Sequence, residues 1–222
     1  MTATMAGTGT SRWYRHAQVS LGVAVAAGTG LLVAGDVDPV HEMLSDAIQT
    51  VPGAVLLMVA ACALASAGLW LAAGAWRTLP RPALFITLVL VWSAALVAVA
   101  FFPTNLPGTT PDMFAVVHRV GAGLMAALPP LFALLLAEQA TSPRTVPLRV
   151  AGLTTLAACI AFGAMHGPSV LLGAEPFPYV GMIERILLAL VLVVAGLCTW
   201  VLDGSSGATG VPRRRLDRAG VS

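Results

Sequence analysis

The chain has 222 residues, 58% of them hydrophobic and only 10% charged, with a mean hydropathy of +0.87 and a formal net charge of +2. A soluble domain carries about 25% charged residues, so these values exclude one and specify an integral membrane protein with little chain left for a separate soluble domain. No nucleic-acid partner is expected.

A bilayer core about 30 Å thick takes roughly 20 apolar residues per helix, and the chain supplies six such runs, at about 17–34, 53–75, 83–101, 113–137, 148–165 and 180–201. Residues 1–11 are small and polar and are expected to be disordered. Arg12 and Arg15 then precede the first run. At about 18 residues that run exceeds the 7–15 of a signal-peptide core and reads as an uncleaved helix. After it, Asp38-Pro39 has the form of an N-cap with proline at N1, and Val40, Leu44, Ala47 and Ile48 recur at helical spacing. A short amphipathic surface helix over 39–50 is expected there, either a plain interfacial linker or a lid whose polar face includes Asp38, His41 and Glu42.

The second and third runs are joined by Arg77-Thr-Leu-Pro-Arg81, and the third ends in Phe102-Pro103-Thr104-Asn105. The fourth carries His118 and Arg119 near its start and Pro129-Pro130 further on, a pair that removes two backbone donors and predicts a kink whose freed carbonyls need other partners. Arg144 and Arg149 lie before the fifth run, which ends at His166; the sixth opens with Glu184 and Arg185. A basic tail, 203–222, contains Arg213, Arg214, Arg215 and Arg218 and is expected to be disordered. The ordered part is one domain, 12–202.

Short turns make consecutive helices antiparallel neighbours, so the fold class is all-α, a polytopic six-helix transmembrane bundle. Every arginine outside the helices falls in one alternating set of segments, whereas Asp36, Asp38, Glu42, Asp46, Asp112 and Glu175 occupy the other set. The positive-inside rule then places both termini in the cytoplasm. Trp13, Tyr14, Trp76 and Trp200 mark the inner helix ends as an aromatic belt does. Cys62, Cys159 and Cys198 all fall within helices, where thiols serve as small apolar groups, and no disulfide is expected. The absence of lysine beside abundant Ala, Gly, Val, Leu, Pro and Arg points to a GC-rich bacterial genome, hence a bacterial cell membrane.

Charges within a bilayer cost roughly 2.5–3.5 kcal/mol each on the insertion scale, which singles out His118, Arg119, Glu184 and Arg185. At 1.5 Å per residue both pairs lie about 10 Å below their helix starts, and His166 and Asn105 end neighbouring helices on the same side. Two explanations stand side by side. The charges pair structurally, Arg119 with Glu184 and Arg185 with Asp112 or Glu175; or they line an outer-leaflet pocket in which Arg119, Arg185, His118, His166 and Asn105 bind a lipid headgroup or another phosphate-bearing anion, since arginine presents a planar fork of donors to phosphate. Within the second explanation, Glu184 or His118 as acid/base would make an intramembrane enzyme acting on a lipid or prenyl phosphate. Glu184 points about 100° away from Arg185 around the helix, so its expected partner is Arg119, leaving Arg185 as the freer cation. No metal site is expected, because HExxH, HxxxH and closely spaced Asp pairs are all lacking. Haem would need histidines paired across facing helices, and only His118 is clearly intramembrane. No cofactor is expected, and membrane lipids are the expected partners.

Phe102-Pro103-Thr104-Asn105, a Gly/Thr-rich loop, His118 in an Ala/Gly-rich helix and a last helix opening Gly181-Met182-Ile183-Glu184-Arg185 together resemble the bacterial membrane proteins of domain-of-unknown-function family 998. The resemblance spans about residues 15–202. It implies a six-helix fold and highlights His118 and Arg185 without naming a reaction. Asn105 stands where the family pattern has an acid.

Overall fold

The structure, a computed structural model, describes residues 9–34, 37–104, 112–140, 142–175 and 177–208. Six helices account for almost all of them: α1 (Gly9–Ala34), α2 (Val51–Thr78), α3 (Pro82–Phe101), α4 (Met113–Gln139), α5 (Thr145–Leu172) and α6 (Val180–Ala208). All six are long and apolar enough to cross a membrane, and no strand occurs among the described residues. The chain is a multi-pass membrane protein.

Each helix begins or ends where local chemistry sets it. The Thr50 hydroxyl accepts the Gly53 amide at 3.2 Å, with Pro52 in the first turn of α2; Pro82 opens α3; and the Asp112 carboxylate accepts the Ala115 amide at 2.8 Å at the start of α4. These caps satisfy amides that have no partner within their own helix. Gly173 ends α5 at φ +67°, a left-handed conformation that glycine adopts without steric cost. At the far ends the helices outrun the apolar stretches: α1 starts at Gly9 and α6 continues to Ala208. Backbone bonding continues past the last apolar residue there, and Ser205 returns its hydroxyl to the Val201 carbonyl at 3.0 Å. The remainder of the two expected tails lies outside the described residues.

Consecutive helices pack as neighbours, and α6 closes the bundle against α1 while also reaching α2 and α4. Packing is uneven along the bundle axis. The largest fully buried side chains include Tyr14, Leu71, Phe85, Trp92, Phe132, Leu136, Leu148 and Leu202. By helix direction these lie toward the half that also holds the start of α1 and the end of α6, while Leu31 and Leu96 are buried in the other half. Trp92 and Phe85 each set an edge against the ring of Phe132, at 5.6 and 5.9 Å between centroids, so α3 and α4 share an aromatic centre. Close approach of helices is allowed by glycine: a Cβ on Gly74 would lie 2.5 Å from the Tyr14 ring, and one on Gly121 would lie 3.0 Å from the Ala95 carbonyl oxygen. The opposite half contains the 37–50 segment, the end of α3 and the starts of α4 and α6.

The 37–50 segment departs from the expected surface helix. A turn over 39–42 is followed by a short 3-10 helix, Leu44–Gln49. The reason lies in its hydrogen bonds. The Asp38 carboxylate accepts the Val40 and His41 amides at 2.8 and 3.2 Å, and the Glu42 carboxylate accepts the Asp38 amide at 2.9 Å, so a helical start is made as the sequence suggests. The Met43 amide turns to the Asp46 carboxylate at 2.9 Å instead of the Pro39 carbonyl, and an α-helix would then join the Leu44 amide to the Val40 carbonyl. Both are taken from outside: Leu44 N donates to the Glu184 carboxylate at 2.6 Å, and Val40 O accepts from Met182 N at 3.2 Å. The helix therefore cannot propagate.

Candidate functional site

The residues singled out by the sequence fall into three groupings at the loop-side end of the bundle. The first is the junction between the 38–46 segment and the opening turns of α6. Glu184 and Arg185 grip the same stretch of backbone from adjacent positions: Glu184 takes the Leu44 amide, and Arg185 Nη1 donates to the Glu42 carbonyl at 2.8 Å. The contact is tight enough that a Cβ on Gly181 would overlap the Glu42 carbonyl oxygen. The Nε of Arg185 is buried and has no hydrogen-bond partner among the described residues. Asp46 lies within the field of Arg185 and of Glu184. Burial raises the Asp46 carboxyl above its ordinary value of 3.8, an effect opposed by its bond from the Met43 amide, strengthened by Glu42 and opposed by Arg185.

The expected partnership of Glu184 with Arg119 is replaced by this backbone contact. Arg185, expected to be the freer cation, is instead covered by the 38–46 segment. That segment lies against the opening turns of α6 through its backbone. Asp38, His41 and Glu42 have exposed side chains, and the His41 Nδ1 lies 2.9 Å from Asp38 Oδ2 while its ring faces Tyr179 at 6.3 Å. The hydrogen bond from His41, with those from the Val40 and His41 amides, holds the Asp38 carboxyl down at about 2.

The second grouping fixes α4 to α3. His118 is buried, and its Nδ1 lies 2.7 Å from the Phe102 carbonyl at the C-terminus of α3. A carbonyl only accepts, so Nδ1 is the donor in this bond. Phe102 also stacks on Phe114, at 5.8 Å between centroids. In this arrangement His118 closes the end of α3 as a cap would.

The third joins α4 to α5. Arg119 follows His118 and therefore points elsewhere around the helix, where its charge acts on His166 of α5. His166 is partly buried against the Phe162 ring, with the Ser169 hydroxyl 3.3 Å from Nδ1. Asn105 lies outside the described residues. Among the described residues no three His, Cys, Asp or Glu side chains are placed to hold a metal ion. A groove between α3 and α4, about 330 Å³ and lined by residues such as Val91, Ala95, Val117 and Gly121, is apolar.

A family model described as "Protein of unknown function (DUF998)" matches residues 5–201. The chain belongs to this family. No curated protein and no solved structure matches it. Family membership therefore brings a fold-sized unit spanning all six helices, and any assignment of chemistry rests on the three groupings just described.

Sequence reasoning missed two features. The backbone of Val40, Glu42 and Leu44 is the real partner of α6, and it has no sequence signature because any residue supplies an amide and a carbonyl. The donors serving the double proline of α4 were also unassigned. Pro129 and Pro130 lack the amides that would bond the Met125 and Ala126 carbonyls. Those carbonyls instead accept from the Trp92 Nε1 of α3 and the Cys159 thiol of α5, each at 3.0 Å.

Proposed function

We propose that the protein binds the phosphate-bearing headgroup of an anionic lipid at the loop-side end of the bundle, with Arg119 and His166 as the principal contacts and the 38–46 segment as the lid beside them. The observation that carries this reading is the placement of Arg119 against His166. The charge of Arg119 on α4 acts on the His166 imidazole of α5, so two helices direct basic groups toward a common region within the membrane-spanning segments. An anion between them is held by the guanidinium, which gives phosphate two parallel donors, and its charge favours a protonated imidazole that donates as well. The low dielectric around the site strengthens that attraction.

His118 supports the site by holding the start of α4 to α3 rather than by touching the ligand. Arg185 and Glu184 act on the lid. Their bonds reach only the main chain of 42–44, so the segment is fastened whatever its side chains are. The unmet Nε of Arg185 offers a second donor for an oxygen atom entering under the lid.

The reading is tested by purifying the full chain with its native lipids and measuring bound phosphorus and lipid identity by mass spectrometry. Arg119→Gln and His166→Ala are expected to lose a phosphate-bearing lipid that the parent protein retains, with helix content unchanged. Equal retention by all three proteins rejects the site.

A further inference from the structure

The two halves of α4 are packed very differently. From Leu128 to Ala137 the helix is embedded in the core, with Leu128, Pro129, Pro130, Phe132, Ala133, Leu136 and Ala137 all buried. From Met113 to Ala127 only Ala115, His118 and Gly121 are buried, while Met113, Phe114, Val116, Val120, Gly123, Leu124 and Ala127 are exposed along the rest of the arm. The boundary between the halves coincides with the double proline. There the helix lacks two backbone bonds, and the carbonyls left over are held by side chains of two other helices, Trp92 and Cys159. Side-chain donors of this kind release without unwinding the helix. A thiol in particular is a weak donor.

We propose that α4 is hinged at Pro129–Pro130: the arm 113–127, which carries His118 and Arg119, moves as a unit while 131–139 stays fixed; the Trp92 and Cys159 bonds clasp the arm at the hinge, and the His118 bond to the Phe102 carbonyl holds its far end to the last turn of α3, which moves with it or lets it go. Breaks in transmembrane helices are sustained by such neighbouring donors, and a hinge needs a rigid base and a loosely packed arm on either side of a few residues. Movement of the arm shifts Arg119 relative to His166 on α5. That last consequence rests on the lipid-site reading above; the hinge itself does not.

Hydrogen–deuterium exchange of the full chain in nanodiscs distinguishes the two. Amides of 117–127 are expected to exchange faster than those of 131–139. Trp92→Phe keeps the aromatic core but removes the Nε1 donor, and is expected to speed exchange in the arm roughly two- to tenfold, the range set by one hydrogen bond. Cys159→Ala should act in the same direction and serves if Trp92→Phe fails to fold. Pro129→Ala combined with Pro130→Ala restores both backbone donors and should slow the arm about tenfold. Equally slow exchange in both halves of the parent protein, or an arm indifferent to all these variants, overturns the hinge. In the same double variant, labelled phosphatidylglycerol should equilibrate with the protein more slowly. If the exchange results hold while Arg119→Gln leaves that equilibration unchanged, the hinge stands and the lipid-site reading fails.

Discussion

Gly181 sets how closely the 38–46 segment can approach α6. Any side chain there must push against the Glu42 carbonyl, which Arg185 also binds. Gly181→Ala is expected to lift the segment at a cost of about 1–3 kcal/mol, the range for overpacking a tight contact, seen as faster proteolysis within 38–46. Two carboxylates of the segment respond to pH in opposite senses. Asp38, held at about 2 against an ordinary 3.8, contributes stability that is complete above the ordinary value and is lost as pH falls through 2. Asp46 is raised by its burial, so its charged form is disfavoured and the segment loosens as pH rises through its folded value. Exchange of amides 39–49, corrected for intrinsic rates, should therefore rise between acid and neutral pH, and Asp46→Asn should remove that rise. Glu184 and Arg185 were legible in the sequence as costly charges. Their partners were not, because a main-chain amide looks the same at every position.

At the scale of the helices, the apolar runs were long enough to declare all six, and their neighbour order followed from short connections. The 39–50 stretch was misread for a definite reason. Its cap and periodicity favour a helix, but contacts from residues 140 and more positions away in sequence, Glu184 and Arg185, divert the bonds that would extend it. Local preference yields there to tertiary bonding. The double proline shows the opposite limit: Pro129-Pro130 states that two carbonyls need donors, yet only the fold reveals that Trp92 and Cys159 supply them. Trp92→Phe should also destabilise the bundle by about 1–3 kcal/mol, because the Met125 carbonyl is left buried without a donor. Thr50→Ala should cost about 1 kcal/mol through loss of the cap on Gly53. Detergent-solubilised melting curves test both.

At the scale of the whole molecule, six antiparallel helices put the start of α1 and the end of α6 on one face, which also carries Arg77, Arg81, Arg144 and Arg149. Arg144 is anchored by a 3.0 Å bond to the Trp200 carbonyl and lies over the Trp200 ring at 4.8 Å, while Arg149 pairs with Glu138 at 2.8 Å. A reporter fused at Gly204 is expected to be active in the cytoplasm and one inserted within 36–50 on the other side. That outcome would set the tightly packed core toward the cytoplasm and the half with the charged groupings outward. The sequence placed those charges at a common depth, but it could not sort them. Their direction around each helix separates Glu184 and Arg185, which hold the backbone of 42–44, from Arg119, whose charge acts on His166. The most direct test of this assignment is native mass spectrometry of the protein and its Arg119→Gln variant released from the same membranes. Retention of a phosphate-bearing lipid by the parent and its loss in the variant, with the fold intact, is the expected result; a variant that carries the same lipid in the same amount contradicts the assignment.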